Sequence, residues 1–343
     1  MAGVNQQSKK SPFFVSDEVA KSVLSIESAI EAIQAAYSQL VDHQNTPPRT
    51  IARDPGAMLR ALPAAPVGSP YFGAKFMGVT SDPQAGTFAG AGWVIVLFGR
   101  DPARVAGFVD GKFITGLRTA ATSAAALDRL APAGPIRLGV LGSGFEASMH
   151  VRAFAAVRPL QDITVYSPTP ERRVEFAETM SAELGVPCHV VESAEHASKA
   201  FRETADVVLA AARSYGEKPI LFAEDLKPGA TVVSIGSTVP HQREIDVSVV
   251  ECCDLVVCDE VGEVIEQTGD MRAATEEGLA VQDKCASLHS LMTGAADDAL
   301  AKSQIRMFKS VGSGLQDVVI AGVALDRAIE AGTAQSLPIT FST

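Results

Sequence analysis

From Ser16 to Val41 the apolar positions fall at helical spacing: Val19, Val23, Leu24, Ile26, Ile30, Ile33, Ala36 and Leu40. Ser16 stands before Asp17-Glu18, and Ser25 before Ile26-Glu27. Each is a serine whose hydroxyl can cap a helix, so the stretch predicts two helices in place of one. Between Pro47 and Asp110 the period shortens. The runs GAMLRALP, YFGAKFMGVT, GWVIVLF and RVAGFVD are strand-length and bounded by Gly or Pro, which predicts an antiparallel sheet with the two helices packed on it.

An alanine-rich helix is expected over Gly116–Leu130, and after it the rhythm changes again. Apolar strands (IRLGVLG, DITVYS, PCHVV, ADVVLAA, ATVVSIG, DLVVCDE) now alternate with helical stretches. Unbroken apolar strands interleaved with helices predict a parallel sheet covered on both faces. The final run from Met307 to Gly332 reads as a strand, a glycine turn and a long helix returning to the first domain. The expected fold is α/β: a doubly wound Rossmann domain over 131–305, and an α+β domain built from 13–130 and 306–343. Residues 1–12 read as a loose polar tail.

Composition narrows the partners. The 343 residues carry a net charge of −11 and 47% hydrophobic residues. That balance argues against nucleic acid or an anionic membrane surface, both of which need clustered Lys and Arg. Apolar runs such as Trp93–Phe98 are too short for a membrane span, and no export signal opens the chain. The five cysteines, Cys188, Cys252, Cys253, Cys258 and Cys285, show neither CxxC nor zinc-type spacing. The expectation is a reduced, cytoplasmic protein without metal.

Gly142-Ser143-Gly144-Phe145-Glu146-Ala147 fits G-x-G-x-x-A, follows the first strand of the parallel run and opens a helix. Glycines there permit a tight turn and a close approach of backbone N–H groups to a pyrophosphate at a helix N-terminus. In this position the motif reads as a dinucleotide cradle and not merely a bend. An unphosphorylated ribose calls for Asp or Glu at the end of the second strand; here stand Tyr166, Ser167, Pro168 and Thr169, followed by Arg172-Arg173. Hydroxyls and arginines without an acid favour a 2′-phosphate, hence NADP(H) over NAD(H). Arg118 at a helix start either grips a carboxylate or is ordinary surface charge. Lys75, inside the apolar FGAKFMGV, either snorkels to solvent or is held in a pocket. His150, on the cofactor helix, reads as packing, and His241 keeps a place in the turn after Thr238.

Six segments in order, PPRT (Pro47–Thr50), GAKF (Gly73–Phe76), VDGKFITGLRTAATSA (Val109–Ala124), LGVLGSGFEA (Leu138–Ala147), IGSTVPHQREID (Ile235–Asp246) and FKSVGSGLQD (Phe308–Asp317), resemble the ornithine cyclodeaminase/mu-crystallin family. The resemblance implies a Rossmann domain beside a substrate and dimerisation domain, and a homodimer. It implies that Arg49, Lys75 and Arg118 hold the carboxylate of an amino or imino acid, and that Thr119 lies near the pyrophosphate. It also implies that Val311-Gly312 borders the nicotinamide and substrate, while Asp317 has no assigned role.

Two departures bear on the reaction. Cyclodeaminases of this family carry an Asp where this chain has Thr238, and a hydroxyl cannot act as general base near neutral pH. They carry a Glu that helps hold the side-chain amine of ornithine near the position of Arg60; an arginine there would repel that amine, and it resembles the alanine dehydrogenase branch, where it helps bind an oxo acid. The expected activity is NAD(P)H-dependent reduction of an imine α to a carboxylate in a small imino or oxo acid. Lys75, or a water held by Thr238, would supply the proton. The alternatives are an amino-acid dehydrogenase of the alanine dehydrogenase type, an ornithine cyclodeaminase, and a small-ligand binding protein like mu-crystallin.

Overall fold

The computed structural model describes residues 11–82, 88–212 and 218–341, and its contacts divide the chain into two compact units. One comprises 1–25, 41–115 and 314–343; the other comprises 26–40 and 116–313. The expected loose tail over 1–12 lies outside the described residues except for Ser11 and Pro12. No helix among the described residues is long and apolar enough to cross a membrane.

In the first unit, β1 (Phe13–Val15) leads into α1 (Asp17–Val23), capped by Ser16, whose hydroxyl accepts from Val19 N at 3.3 Å. The second helix of the pair, α2 (Ile26–Tyr37), begins directly after Ser25 and belongs to the other unit. Four strands then form a meander: β2 (Thr50–Asp54), β3 (Ala57–Ala64), β4 (Tyr71–Ser81) and β5 (Phe88–Arg100), followed by β6 (Ala103–Asp110). The pairs from β2 to β6 are antiparallel as expected, but β1 joins β6 in parallel, so the sheet is mixed. Its buried face carries Leu62, Ile95, Leu97 and Val109, which are at most 4% exposed.

The helix after β6, α3 (Gly111–Leu130), starts five residues earlier than the alanine-rich run suggests, and the division between the units falls inside it, after Thr115. Its first turn is capped from two sides: Asp110, just before the helix, accepts from Lys112 N at 3.0 Å, and Asp17, from a distant part of the chain, accepts from Phe113 N at 2.8 Å.

The second unit holds the doubly wound sheet. Its strands are β7 (Ile136–Leu141), β8 (Leu160–Tyr166), β9 (Cys188–Val190), β10 (Val207–Ala210), β11 (Thr231–Ser234), β12 (Leu255–Cys258), β13 (Cys285–Ser287) and β14 (Arg306–Lys309). The order β13-β12-β14-β11-β10-β7-β8-β9 has parallel neighbours throughout. Strand order reverses between β7 and β10, and in such sheets a ligand crevice opens at that point, at the carboxyl ends of the strands. The covering helices include α4 (Phe145–Val157), α5 (Pro170–Leu184) and α6 (Ala194–Thr204). They continue with α7 (Val247–Cys252), α8 (Val261–Gln267) and α9 (Gly269–Glu276), then the short α10 (Val281–Lys284), α11 (Leu288–Met292) and α12 (Asp297–Lys302).

These boundaries differ from those read off the rhythm. β14 lies beyond residue 305, yet it sits between β11 and β12 because its apolar Met307 and Phe308 are fully buried there. Chain leaves this unit only at Ser313; α13 (Gly314–Glu330) then packs across β1, β3, β4, β5 and β6 of the first sheet, and β15 (Gln335–Ser336) adds to β1.

One charged cluster lies inside the second unit. Lys309, at the end of β14 and 0% exposed, donates to Ser234 Oγ at 2.6 Å and Asp270 Oδ2 at 2.7 Å, with Glu244 Oε1 at 3.7 Å. Burial raises the Glu244 pKa above the carboxylate range, while the Lys309 ammonium pulls it down. Removing one partner of such a cluster leaves buried charge uncompensated. We expect Lys309→Met to cost about 3–5 kcal/mol, read as a lower urea midpoint, whereas a midpoint within error of the parent would mean that the cluster carries no net stability.

Candidate active site

The glycine turn follows β7 and opens α4. Gly142 has φ +111, and a Cβ there would stand 2.7 Å from Ala211 O, just beyond β10. Its N–H donates to Tyr166 O at 2.8 Å, tying the turn to the end of β8. Gly144 differs: a Cβ there would meet nothing within 4 Å, and it caps α4 with no side-chain hydrogen bond. Open space and first-turn N–H groups coincide at this point, which is what a pyrophosphate needs. Ser143 Oγ donates to Ser167 Oγ at 2.8 Å, and Ala147 is fully buried beneath the turn. Phe145 is 59% exposed, and its ring lies over Gly116 of α3. The residues present thus fit a dinucleotide.

A cavity of about 310 Å³ adjoins the turn, lined by Ser143, Gly144, Phe145 and Ser148 on one side and by Arg172, Glu175, Phe176 and Thr179 of α5 on the other. Arg172 is exposed there, and so is Thr169 at the helix start. Arg173 requires correction. It is 8% exposed, donates from Nη1 to Ser167 O at 3.0 Å and lies over the Tyr166 ring at 5.9 Å. The protein uses Arg173 to hold the β8–α5 corner, so of the two arginines expected at a ribose phosphate only Arg172 faces the cavity.

His150 is fully buried on α4. Its Nδ1 faces Glu146 O at 2.7 Å, and its Nε2 faces Ser123 Oγ at 3.0 Å. A carbonyl can only accept, so Nδ1 carries the proton and Nε2 accepts from the serine. Burial lowers its pKa from 6.5 to about 4, assisted by the charge of Arg118. It is a packing residue, as its place in the helix suggests. His241 is exposed.

Two turns close the same end of the sheet. In the turn after β11, Glu244 Oε1 accepts from Gly236 N at 2.7 Å, Ser237 Oγ donates to Gln242 O at 2.5 Å, and Thr238 N donates to Gln242 Oε1 at 3.2 Å. Thr238 is left half-buried at its tip. After β14, Val311 and Gly312 form a turn with Gly312 at φ +81. Arg118 of α3 lies against this turn: a Cβ on Gly312 would fall 2.5 Å from Arg118 Nη1 and 3.0 Å from Cζ. Arg118 is 7% exposed, which removes the surface-charge alternative, and half-buried Thr119 follows it in the helix.

In the first unit, cross-strand pairing places Lys75 opposite Leu62 and Ile95, and Arg60 opposite Met77. Directly paired side chains share a face, so Lys75 and Arg60 stand as diagonal neighbours on the buried face of the sheet. Lys75 is 3% exposed and does not snorkel. Its ammonium lies 2.8 Å from Asp317 Oδ1 and 2.7 Å from Oδ2, with Thr115 Oγ1 at 3.5 Å. Asp317, without a role in the sequence, is thus the carboxylate that holds Lys75. Arg49 is half-buried just before β2. The partners that sequence reasoning missed are Asp317, Glu244, Asp270 and Asp259, carboxylates that meet their donors from 8 to more than 200 residues away.

Residues 12–332 match the model of the ornithine cyclodeaminase/mu-crystallin family. Among curated relatives, iminosuccinate reductase of Paracoccus denitrificans is 30% identical over 71% of this chain and 73% of its own. Its NAD+ complex superposes with a TM-score of 0.84 at 25% identity, covering 96% of this chain and 100% of that one. Delta(1)-pyrroline-2-carboxylate reductase of Bacillus cereus is 27% identical over 67% of this chain and 69% of its own. Ketimine reductase mu-crystallin of Mus musculus is 29% identical over 68% of each.

Two expectations follow from the geometry. Gly144→Val fills the open space at the head of α4 and should weaken NAD(P)H binding at least roughly tenfold, at a stability cost of about 1 kcal/mol. Gly142→Val drives a side chain into Ala211 O at a left-handed φ and should destabilise the fold by about 1–3 kcal/mol or more. Nucleotide-fluorescence titration beside urea unfolding separates the two, and equal effects on both readouts would refute the assignment. For His150 the folded pKa lies below the unfolded one, so its contribution is fully present above pH 6.5 and is lost as pH falls towards 4. The loss should approach about 3 kcal/mol, and His150→Gln should flatten that part of the stability–pH curve measured by urea midpoints.

Proposed function

The chain belongs to the ornithine cyclodeaminase/mu-crystallin family, and on that premise we propose that it is an NAD(P)H-dependent reductase of an imine α to a carboxylate, forming an amino or cyclic imino acid. The observation that carries this reading is that relatives matching two thirds or more of the chain include, by name, reductases of iminosuccinate, pyrroline-2-carboxylate and ketimines. The first two substrates join a C=N bond to a carboxylate. Thr238, in the turn where cyclodeaminases of the family carry Asp, supports the same conclusion. Its hydroxyl can orient a water or accept from an imine N–H, but it cannot take a proton from an amino group at neutral pH.

Each residue then has a task suited to its surroundings. Arg118, with Arg49 and Arg60, holds the substrate carboxylate, a bidentate task for a planar guanidinium. The Lys75 ammonium, oriented by both oxygens of Asp317, gives a proton to the imine nitrogen, which makes the neighbouring carbon electrophilic. The bound nucleotide supplies the hydride that this carbon accepts. The turn over Gly142–Ala147 and Thr119 hold the pyrophosphate, and the Val311-Gly312 turn borders the reacting groups.

The cofactor we favour is NADP(H) over NAD(H): Arg172 faces the cavity beside the turn, with Ser167 and Thr169 nearby in sequence and no acid at the end of β8. Glu175 in the same lining limits how basic that cavity is. We read the protein further as a cytoplasmic homodimer acting on a small imino or oxo acid. All five cysteines are free thiols, which suits a reducing compartment.

The test is oxidation of NADPH and NADH with cyclic ketimine carboxylates, and with 2-oxo acids plus ammonia or methylamine, beside ornithine with NAD+. We expect turnover with one imine class and a preference for NADPH that Arg172→Ala narrows. Conversion of ornithine to proline without net change in nucleotide would overturn the reading. Lys75→Met should lower kcat by about a hundredfold or more with nucleotide affinity kept; loss of both together would make Lys75 structural.

A further inference from the structure

Asp259 follows β12 directly and is 4% exposed. The strands on which it and the Val311-Gly312 turn depend are neighbours in the sheet, with Cys258 opposite Lys309. Asp259 and Ser310 therefore leave the sheet side by side. Both carboxylate oxygens are used. Oδ2 accepts from Ser310 Oγ at 2.6 Å and from Gly312 N at 2.8 Å; Oδ1 accepts from Val311 N at 3.0 Å and from Glu260 N at 3.0 Å. Three consecutive residues of the turn are thus clamped by one side chain. Backbone N–H groups bound to a carboxylate make charge-assisted bonds, stronger than neutral ones.

The clamp governs more than the turn. Gly312, held at φ +81, presents a face without a side chain, and the Arg118 guanidinium occupies that space, with Nη1, Nη2 and Cζ at 2.5, 2.8 and 3.0 Å from where a Cβ would be. A side chain at 312, or a displacement of the turn towards that space, would meet the guanidinium. Arg118 is itself buried, so it has little room to readjust.

We propose that Asp259 is a positioning residue for substrate: by fixing the Ser310–Gly312 turn it sets the plane and depth of the Arg118 guanidinium, and so the grip on the substrate carboxylate. This rests on the reading that Arg118 holds that carboxylate. An asparagine at 259 keeps the shape but turns an NH2 group towards N–H or hydroxyl donors at one end, so at least one clamp bond is replaced by a repulsion.

The experiment is a double-mutant cycle between Asp259→Asn and Arg118→Met, read as kcat/KM on Delta(1)-pyrroline-2-carboxylate and on 1-pyrroline, which lacks the carboxylate. We expect Asp259→Asn to lose roughly tenfold to a hundredfold on the carboxylate substrate, mainly in KM, with NADPH affinity within about twofold. The penalty should largely vanish on 1-pyrroline and in the Arg118→Met background. An equal penalty on both imines, or additivity in the cycle, would overturn the proposal and make Asp259 structural only.

Where Asp259→Asn fails to fold, Gly312→Ala carries the test: it displaces Arg118 with the clamp intact and should reproduce the KM effect, and a KM unchanged by it would overturn the coupling. Binding of L-proline to the NADPH-loaded protein, followed by nucleotide fluorescence, runs the same cycle without turnover. Arg118-dependent binding that Asp259→Asn weakens, in a parent that reduces no imine, would sink the proposed reaction and keep the positioning role. Binding that ignores Arg118 would sink both.

Discussion

An ammonium group inside a protein, away from water, must be matched by carboxylate and hydroxyl acceptors or it will not stay charged. Lys309 is in that position at the carboxyl end of the central strand β14, and its needs organise the edge of the sheet around it. Asp270 gives one oxygen to Lys309 and uses the other to accept from Glu244 N and Ile245 N. Glu244 in turn accepts from Ser234 Oγ and Gly236 N. The turn that carries Thr238 is therefore fixed by the same charges that neutralise the lysine. One residue further along the chain begins the turn that Asp259 clamps. Two buried carboxylate hubs thus fix the loops on which a ligand at this edge would rest, while the hydrophobic core beneath supplies most of the stability without specifying where those loops stand.

This arrangement explains what the sequence does and does not disclose. The cradle at Gly142–Ala147 is legible because everything it needs is local: an apolar strand, glycines at fixed offsets and a helix start. Alternation of strands and helices likewise reveals the parallel sheet. The sequence rhythm groups β14 with the following helix, because its apolar run is short and precedes a glycine turn; only pairing with β11 and β12 shows it to be interior to the sheet. The start of α3 at Gly111 draws one cap from the adjacent Asp110 and another from Asp17, which lies 96 residues from Phe113 in the chain. Lys75 left two readings open since a lysine amid apolar residues has two fates, and the deciding partner, Asp317, lies 242 residues further on.

Arg172 and Arg173 show the same limit at the smallest scale. As neighbours on a helix they point about 100° apart, so a cleft that receives one need not receive the other. Composition and position put both at a ribose phosphate, and packing against Tyr166 and Ser167 withdraws one of them. The partners a side chain meets in the fold, near or far in sequence, decide with residue type which charges face a ligand.

That distinction separates the two buried cations of the proposed chemistry. Lys75 sits within 3 Å of both oxygens of Asp317, so much of its field is cancelled by a carboxylate of its own. Such a group attracts an anion weakly but keeps its protons oriented, which suits a donor to an imine nitrogen better than an anchor for a carboxylate. Arg118 lies against Gly312, in a turn whose Val311 and Gly312 N–H groups donate to Asp259. A guanidinium cannot lose its proton near neutral pH, so it is unsuited to proton transfer and suited to holding charge. In an overall acidic chain, then, the capacity to bind a small anion does not follow from net charge. It follows from the partners that each buried cation meets within the fold.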